Sequence, residues 1–118
     1  MGEIDTRLKE LGIDLPASAA PIANYVPAVK TGNLLYLSGV GPANKSDGTQ
    51  YLGKVGSDLS IEEGYDAARL TGINLLARLK SELGDFDKVT RVVKLLGMVN
   101  SDLDFDQHLL CRTQVKVI

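Results

Sequence analysis

The sequence predicts an α+β fold, a sheet with a helix laid on one face, and three stretches carry that prediction. Two short β-rich runs flank Gly32-Asn33, a capped helix begins at Ser60, and β-branched and aliphatic residues fill Val89 to Val99. A hairpin followed by a helix and another strand is an α+β order.

The elements follow from local chemistry. Ile4, Leu8 and Leu11 recur at four- and three-residue spacing, so residues 4–11 read as a short helix. Gly12 supplies its left-handed end, and Pro16 forbids continuation. Residues 16–21 are small and Pro-bearing, a connector. Tyr25 to Val29 and Leu34 to Ser38 are strand candidates around a two-residue turn with positive φ at Gly32. Pro27 has no N–H to give a ladder, which places the first strand at an edge. Residues 39–56 are rich in Gly, Pro, Asn, Ser and Asp and read as a long loop, with a short strand near Tyr51-Leu52.

Ser60-Ile61-Glu62-Glu63 is a capping box, in which the Ser hydroxyl and the Glu carboxylate each accept an amide of the other residue. Apolar residues then recur at helical spacing from Tyr65 to Leu83, and Gly84 ends the helix near Ile61–Leu83. Val89 to Val99 is apolar on both faces, which predicts a strand covered on both sides, one cover being the long helix and the other a neighbouring copy. Residues 101–107 read as a polar, acidic loop, and residues 108–118 fit no element.

Composition limits the functions available. The 118 residues suit one domain, and the net charge of -2 lacks the basic excess of a nucleic-acid binder. Cys111 is the single cysteine, which suits a reducing compartment. With no leader pattern and no run long and apolar enough for a bilayer, the expected location is the cytoplasm, away from the membrane.

The segments Ile22 to Val29, Thr31 to Gly39 with Pro42, Asn74 to Leu76, and Gly84 to Val89 form an ordered set. In this order they resemble the YjgF/RidA (L-PSP) family, whose older label is endoribonuclease. The N-terminal helix and Lys94 to Asn100 resemble its YjgF/chorismate-mutase-like subgroup. The resemblance spans Pro21 to Phe105 and leaves residues 106–118 unassigned. It implies a chorismate-mutase-like fold with a mixed sheet, and a homotrimer with ligands in clefts between subunits. It also implies hydrolysis of reactive enamines and imines to 2-keto acids and ammonia, with no metal or organic cofactor. Tyr25, Ser38 and Gly39 are the implied ligand-binding wall.

The family continues with a second helix and two strands carrying an Arg for the substrate carboxylate and a Glu near the attacking water. Gln114 to Ile118 resembles only the entry to that helix, so the chain is expected to be C-terminally incomplete. No catalytic residue is assigned, and little or no turnover is expected of residues 1–118 by themselves. A non-catalytic small-molecule binding module and a ribonuclease are the alternatives.

Other residues have plainer readings. Without the resemblance, Tyr25 is an edge-strand aromatic and Ser38-Gly39 a strand end. Gly39-Val40-Gly41 lacks the next glycine and the following helix of a dinucleotide fingerprint. His108, the only imidazole, reads as solvated, and Cys111 as an inert thiol. Asp102, Asp104 and Asp106 lack the glycine and terminal Glu of a calcium loop and read as a solvated acidic turn.

Overall fold

A computed structural model describes residues 2–18, 23–42, 44–45 and 47–108. The connector residues 19–22, and the tail with Cys111, lie outside them. The elements are α1 (Glu3–Glu10), β1 (Ala28–Thr31), β2 (Leu34–Leu37), α2 (Ile61–Leu83) and a 3-10 turn, η1 (Phe86–Lys88). The described residues fall into two compact units, one drawn from Met1–Val40 and Ile73–Val93, the other from Gly41–Gly72 and Lys94–Ile118. Among the described residues, no helix is long and apolar enough to cross a membrane.

The first unit is built around α1, the hairpin and η1. Helix α1 stops where expected, at Gly12 with a φ of 66°. Its Leu8 is buried, as are Ile13, Ile73, Ala77 and Phe86 of the same unit. Asp85 caps η1 by accepting the Asp87 amide at 2.9 Å, which holds Phe86 in place. Lys80 pairs with Asp5 of α1 at 3.1 Å and lies 4.9 Å from the centre of the Phe86 ring. One side chain thereby joins an ion pair to an aromatic face.

The hairpin is antiparallel, with Ala28 opposite Leu37 and Thr31 opposite Leu34. Gly32 has a φ of 55° and Asn33 is not left-handed, the φ pattern of a II′ turn. β1 begins three residues later than Tyr25. A two-residue turn counts pairs outward from Gly32, and Pro27 has no N–H with which to extend them.

The second unit is organised by its loop and the start of α2. The Ser60 amide donates to Glu63 at 3.2 Å, and the Glu63 amide donates to the Ser60 hydroxyl at 3.1 Å, closing the capping box. No strand forms at Tyr51-Leu52. Buried Val55 instead donates to the Asn100 carbonyl at 2.9 Å and accepts from the Asp102 amide at 3.0 Å, a parallel bridge. Before it, Gly53 has a φ of 111°, and Asp58 accepts the Lys54 amide at 2.8 Å to close a tight turn.

The Tyr51 hydroxyl donates to the Asp66 carboxylate, tying the loop to α2 within this unit. Lys45 lies over the Tyr51 ring at 4.2 Å. The bond to Asp66, then burial, then the Asp66 charge push the Tyr51 phenol up to about 12. An unfolded Tyr loses its proton near pH ~10. The folded state therefore holds this proton more tightly, and its contribution is complete below the unfolded value and lost as pH rises through the folded one. We expect the urea midpoint to fall more steeply between about pH 10 and 12 in the wild type than in Tyr51→Phe. Equal slopes in the two proteins would show that the hydroxyl contributes nothing there.

The expected strand from Val89 to Val99 is corrected. These residues join no ladder, and neither the long helix nor any other described segment covers both of their faces. Val92, Leu96 and Met98 are exposed, Met98 by 89%. A strand needs a partner edge as well as β-branched side chains. Pairing begins only at Ser101, through Val55.

Candidate functional site

The end of the hairpin gathers the three residues expected to line a ligand wall. One step past the last ladder pair, the Ser38 amide donates to the Pro27 carbonyl at 3.0 Å. The Ser38 hydroxyl donates to the Val26 carbonyl at 2.5 Å. Both bonds clamp the Tyr25–Pro27 approach against the end of β2. Tyr25 is therefore held one residue from the clamp, with its ring partly exposed. Gly39 follows directly and is exposed, and a Cβ built there meets nothing within 4 Å. The site is an open strand end, bounded by an aromatic ring and a hydroxyl already used in a hydrogen bond.

A residue that the sequence did not mark joins it. Arg78, on the last third of α2, is 5% exposed and donates from Nη1 to the Ser38 carbonyl at 3.4 Å. It is the one buried charged side chain among the described residues. Nothing in the sequence singles it out, because an Arg on a helix normally keeps its head in water.

The other candidates lie in the second unit. His108 is not solvated: it is half-buried, 2.7 Å from the Ser101 hydroxyl, with the Phe105 ring edge-on at 5.0 Å. The aromatic contact and the serine offset the loss of water around the imidazole. A cleft of about 380 Å³ lies beside the start of α2, lined by Ser60 and Ile61 and by Asp102, Asp104 and Asp106. Its three carboxylates oppose the anion that a helix N-terminus would attract. Among the described residues, no three His, Cys, Asp or Glu side chains come together as a metal site.

Comparison with known proteins decides the family. The pattern of the family described as YjgF/chorismate mutase-like, putative endoribonuclease, matches residues 5–111. The chain belongs to the YjgF family. Protein TCP17 of Trypanosoma cruzi is 42% identical over 107 residues, which is 91% of this chain and 66% of that protein. The chain thus spans just under two thirds of that relative's length. The crystal structure of a putative endoribonuclease from Shewanella oneidensis MR-1 superposes with a TM-score of 0.89 at 30% identity, over 96% of this chain and 74% of that one. Atu1372 of Agrobacterium tumefaciens, described as of unknown function, gives a TM-score of 0.83 at 41% identity, over 97% and 70%. The α+β fold of this YjgF-family chain is accordingly the one these structures share.

Proposed function

We propose that the hairpin end is a recognition wall for small 2-imino and 2-keto acids, and that its chemistry is RidA-type deamination. In that reaction water adds to the C=N carbon, and ammonia leaves to give the 2-keto acid. The observation that carries this reading is the double clamp on Ser38. It fixes a strand end with an open backbone at Gly39 and an aromatic ring at Tyr25. A wall of this kind fixes one face of a planar imine, and orientation of that sort is a large share of what such a hydrolysis needs.

A homotrimer in the cytoplasm belongs to the same reading. Support for a neighbouring copy comes from the exposed Val92, Leu96 and Met98.

The test uses the 118-residue chain and two readouts. Thermal stabilisation by 2-oxobutanoate is expected, weakened about tenfold in Tyr25→Ala. Release of 2-oxobutanoate from 2-iminobutanoate generated in place is expected near the spontaneous rate. A clear acceleration that Tyr25→Ala removes would make the chain itself a deaminase. Binding without acceleration, the expected outcome, would make these 118 residues a binding wall by themselves and leave deamination to a chain that also carries the family's Arg and Glu; no binding at all would sink the reading.

The endoribonuclease label of the family and of the Shewanella relative supports a second reading. The net charge of -2 speaks against it. RNA cleavage that survives stringent purification and vanishes in Tyr25→Ala would restore it.

A further inference from the structure

We propose that Ser101 and His108 form a nucleophile–base pair that hydrolyses small esters carrying an ammonium group. The Ser101 Oγ and the His108 Nε2 lie 2.7 Å apart. An imidazole nitrogen within hydrogen-bond reach of a serine hydroxyl is the arrangement that activates a serine for attack. With the ring proton on Nδ1, Nε2 accepts from the hydroxyl.

Both partners are held from outside the pair. Val55 fixes the backbone on either side of Ser101: its amide donates to the Asn100 carbonyl, and its carbonyl accepts the Asp102 amide. The Asn100 side chain adds a bond to the Gly53 carbonyl at 3.3 Å. The Phe105 amide then donates to the Asp102 carbonyl at 3.2 Å and turns the chain back, and the Phe105 ring meets the imidazole edge-on. The two side chains, seven residues apart in sequence, meet because these bonds close the loop between them. Both are half-buried, so neither is sealed from solvent.

The same loop provides an approach. The cleft of about 380 Å³ at the start of α2 is lined by Asp102, Phe105 and Gln107. Asp102 follows Ser101, Gln107 precedes His108, and Phe105 touches the imidazole. A molecule in the cleft therefore lies against the immediate neighbours of both reacting groups. Asp104 and Asp106 complete its acidic wall. That wall repels an anionic ester and attracts an ammonium, for which the Phe105 ring is a further partner.

The reaction needs only the ester and water. The Ser101 Oγ bonds to the ester carbonyl carbon while Nε2 of His108 takes the hydroxyl proton. The bond from that carbon to the alcohol oxygen breaks, and Nε2 returns the proton to the leaving alcohol. Water, giving its proton to Nε2, then attacks the acyl carbon. The bond to Oγ breaks, Ser101 recovers the proton, and the free acid departs. Nothing is oxidised or reduced. The pair belongs to the second unit, and its activity is independent of the reading of the hairpin end.

The test treats the full chain with a fluorophosphonate and locates the label by peptide mass. It then follows nitrophenol release from the p-nitrophenyl esters of glycine and of succinate. We expect the label on Ser101. Release from the glycine ester should be lost in Ser101→Ala and fall at least about tenfold in His108→Gln. The wild type should cleave the glycine ester about tenfold faster than the succinate ester. No label, or label only on another residue, overturns the inference, and this readout needs no variant to fold. Undiminished release by a folded Ser101→Ala or His108→Gln overturns it as well. Equal rates on the two esters, or a preference for succinate, overturn the assignment of an ammonium-bearing substrate.

Discussion

Phe86→Ala should cost about 3–5 kcal/mol of folding free energy, the range for truncating a buried aromatic. Phe86 is 1% exposed, the most completely buried large side chain among the described residues. Its loss opens a void under η1, next to α1, and removes the ring on which Lys80 rests. A protein of this size is stable by only about 5–15 kcal/mol in all. The substitution should therefore remove about a fifth of the total or more and shift the urea midpoint accordingly. Phe86→Leu, which keeps most of the volume, should cost well under half as much. Equal midpoints for wild type and Phe86→Ala would show that the ring is not part of the core.

Gly53→Ala should come second, at about 2–4 kcal/mol, combining backbone strain with overpacking. The φ of 111° lies where side chains are strained. An added Cβ would also sit 2.5 Å from the Asp58 Cβ, which has no freedom to swing away. Moving Asp58 releases the Lys54 amide and opens the turn that leads to the Ser60 cap. Gly32→Ala is the control: its φ of 55° is also left-handed, but nothing lies within 4 Å of the new Cβ. It should cost only about 1–2 kcal/mol, the local price of that conformation. Urea titrations of the two variants separate steric collision from dihedral strain. A Gly53→Ala protein no weaker than Gly32→Ala would mean that the collision relaxes freely.

How much of this was legible in the sequence depends on how local each signal is. Helix α2 was readable to its ends, because the Ser60–Glu63 box and Gly84 act within a few residues of themselves. The turn of the hairpin was readable for the same reason. The start of β1 was misplaced because alternation marks a preference, whereas pairing is counted from the turn and stopped by Pro27. Val89–Val99 was misread more deeply. Its composition states what the segment would do beside an edge, and no residue within it says whether an edge is there. Tyr25, Ser38 and Gly39 were named through resemblance, and the structure brings them to one end of the hairpin. Arg78 was invisible, since withdrawal of one helical residue from water is decided by packing far away in the chain. His108 was missed likewise, its environment resting on Ser101 and Phe105 in a loop with no periodicity.

The bare ribbon before Ser101 has a colloidal consequence. From Leu95 to Ser101 the chain carries no charge and no proline, and Leu95, Leu96 and Met98 are exposed. Short windows of that composition stack into cross-β fibres when many copies meet. Arg91 and Lys94 on one side and Asp102 on the other are the charges that resist such stacking. Their repulsion is screened by salt, so ionic strength and concentration together govern how long the purified protein stays in solution.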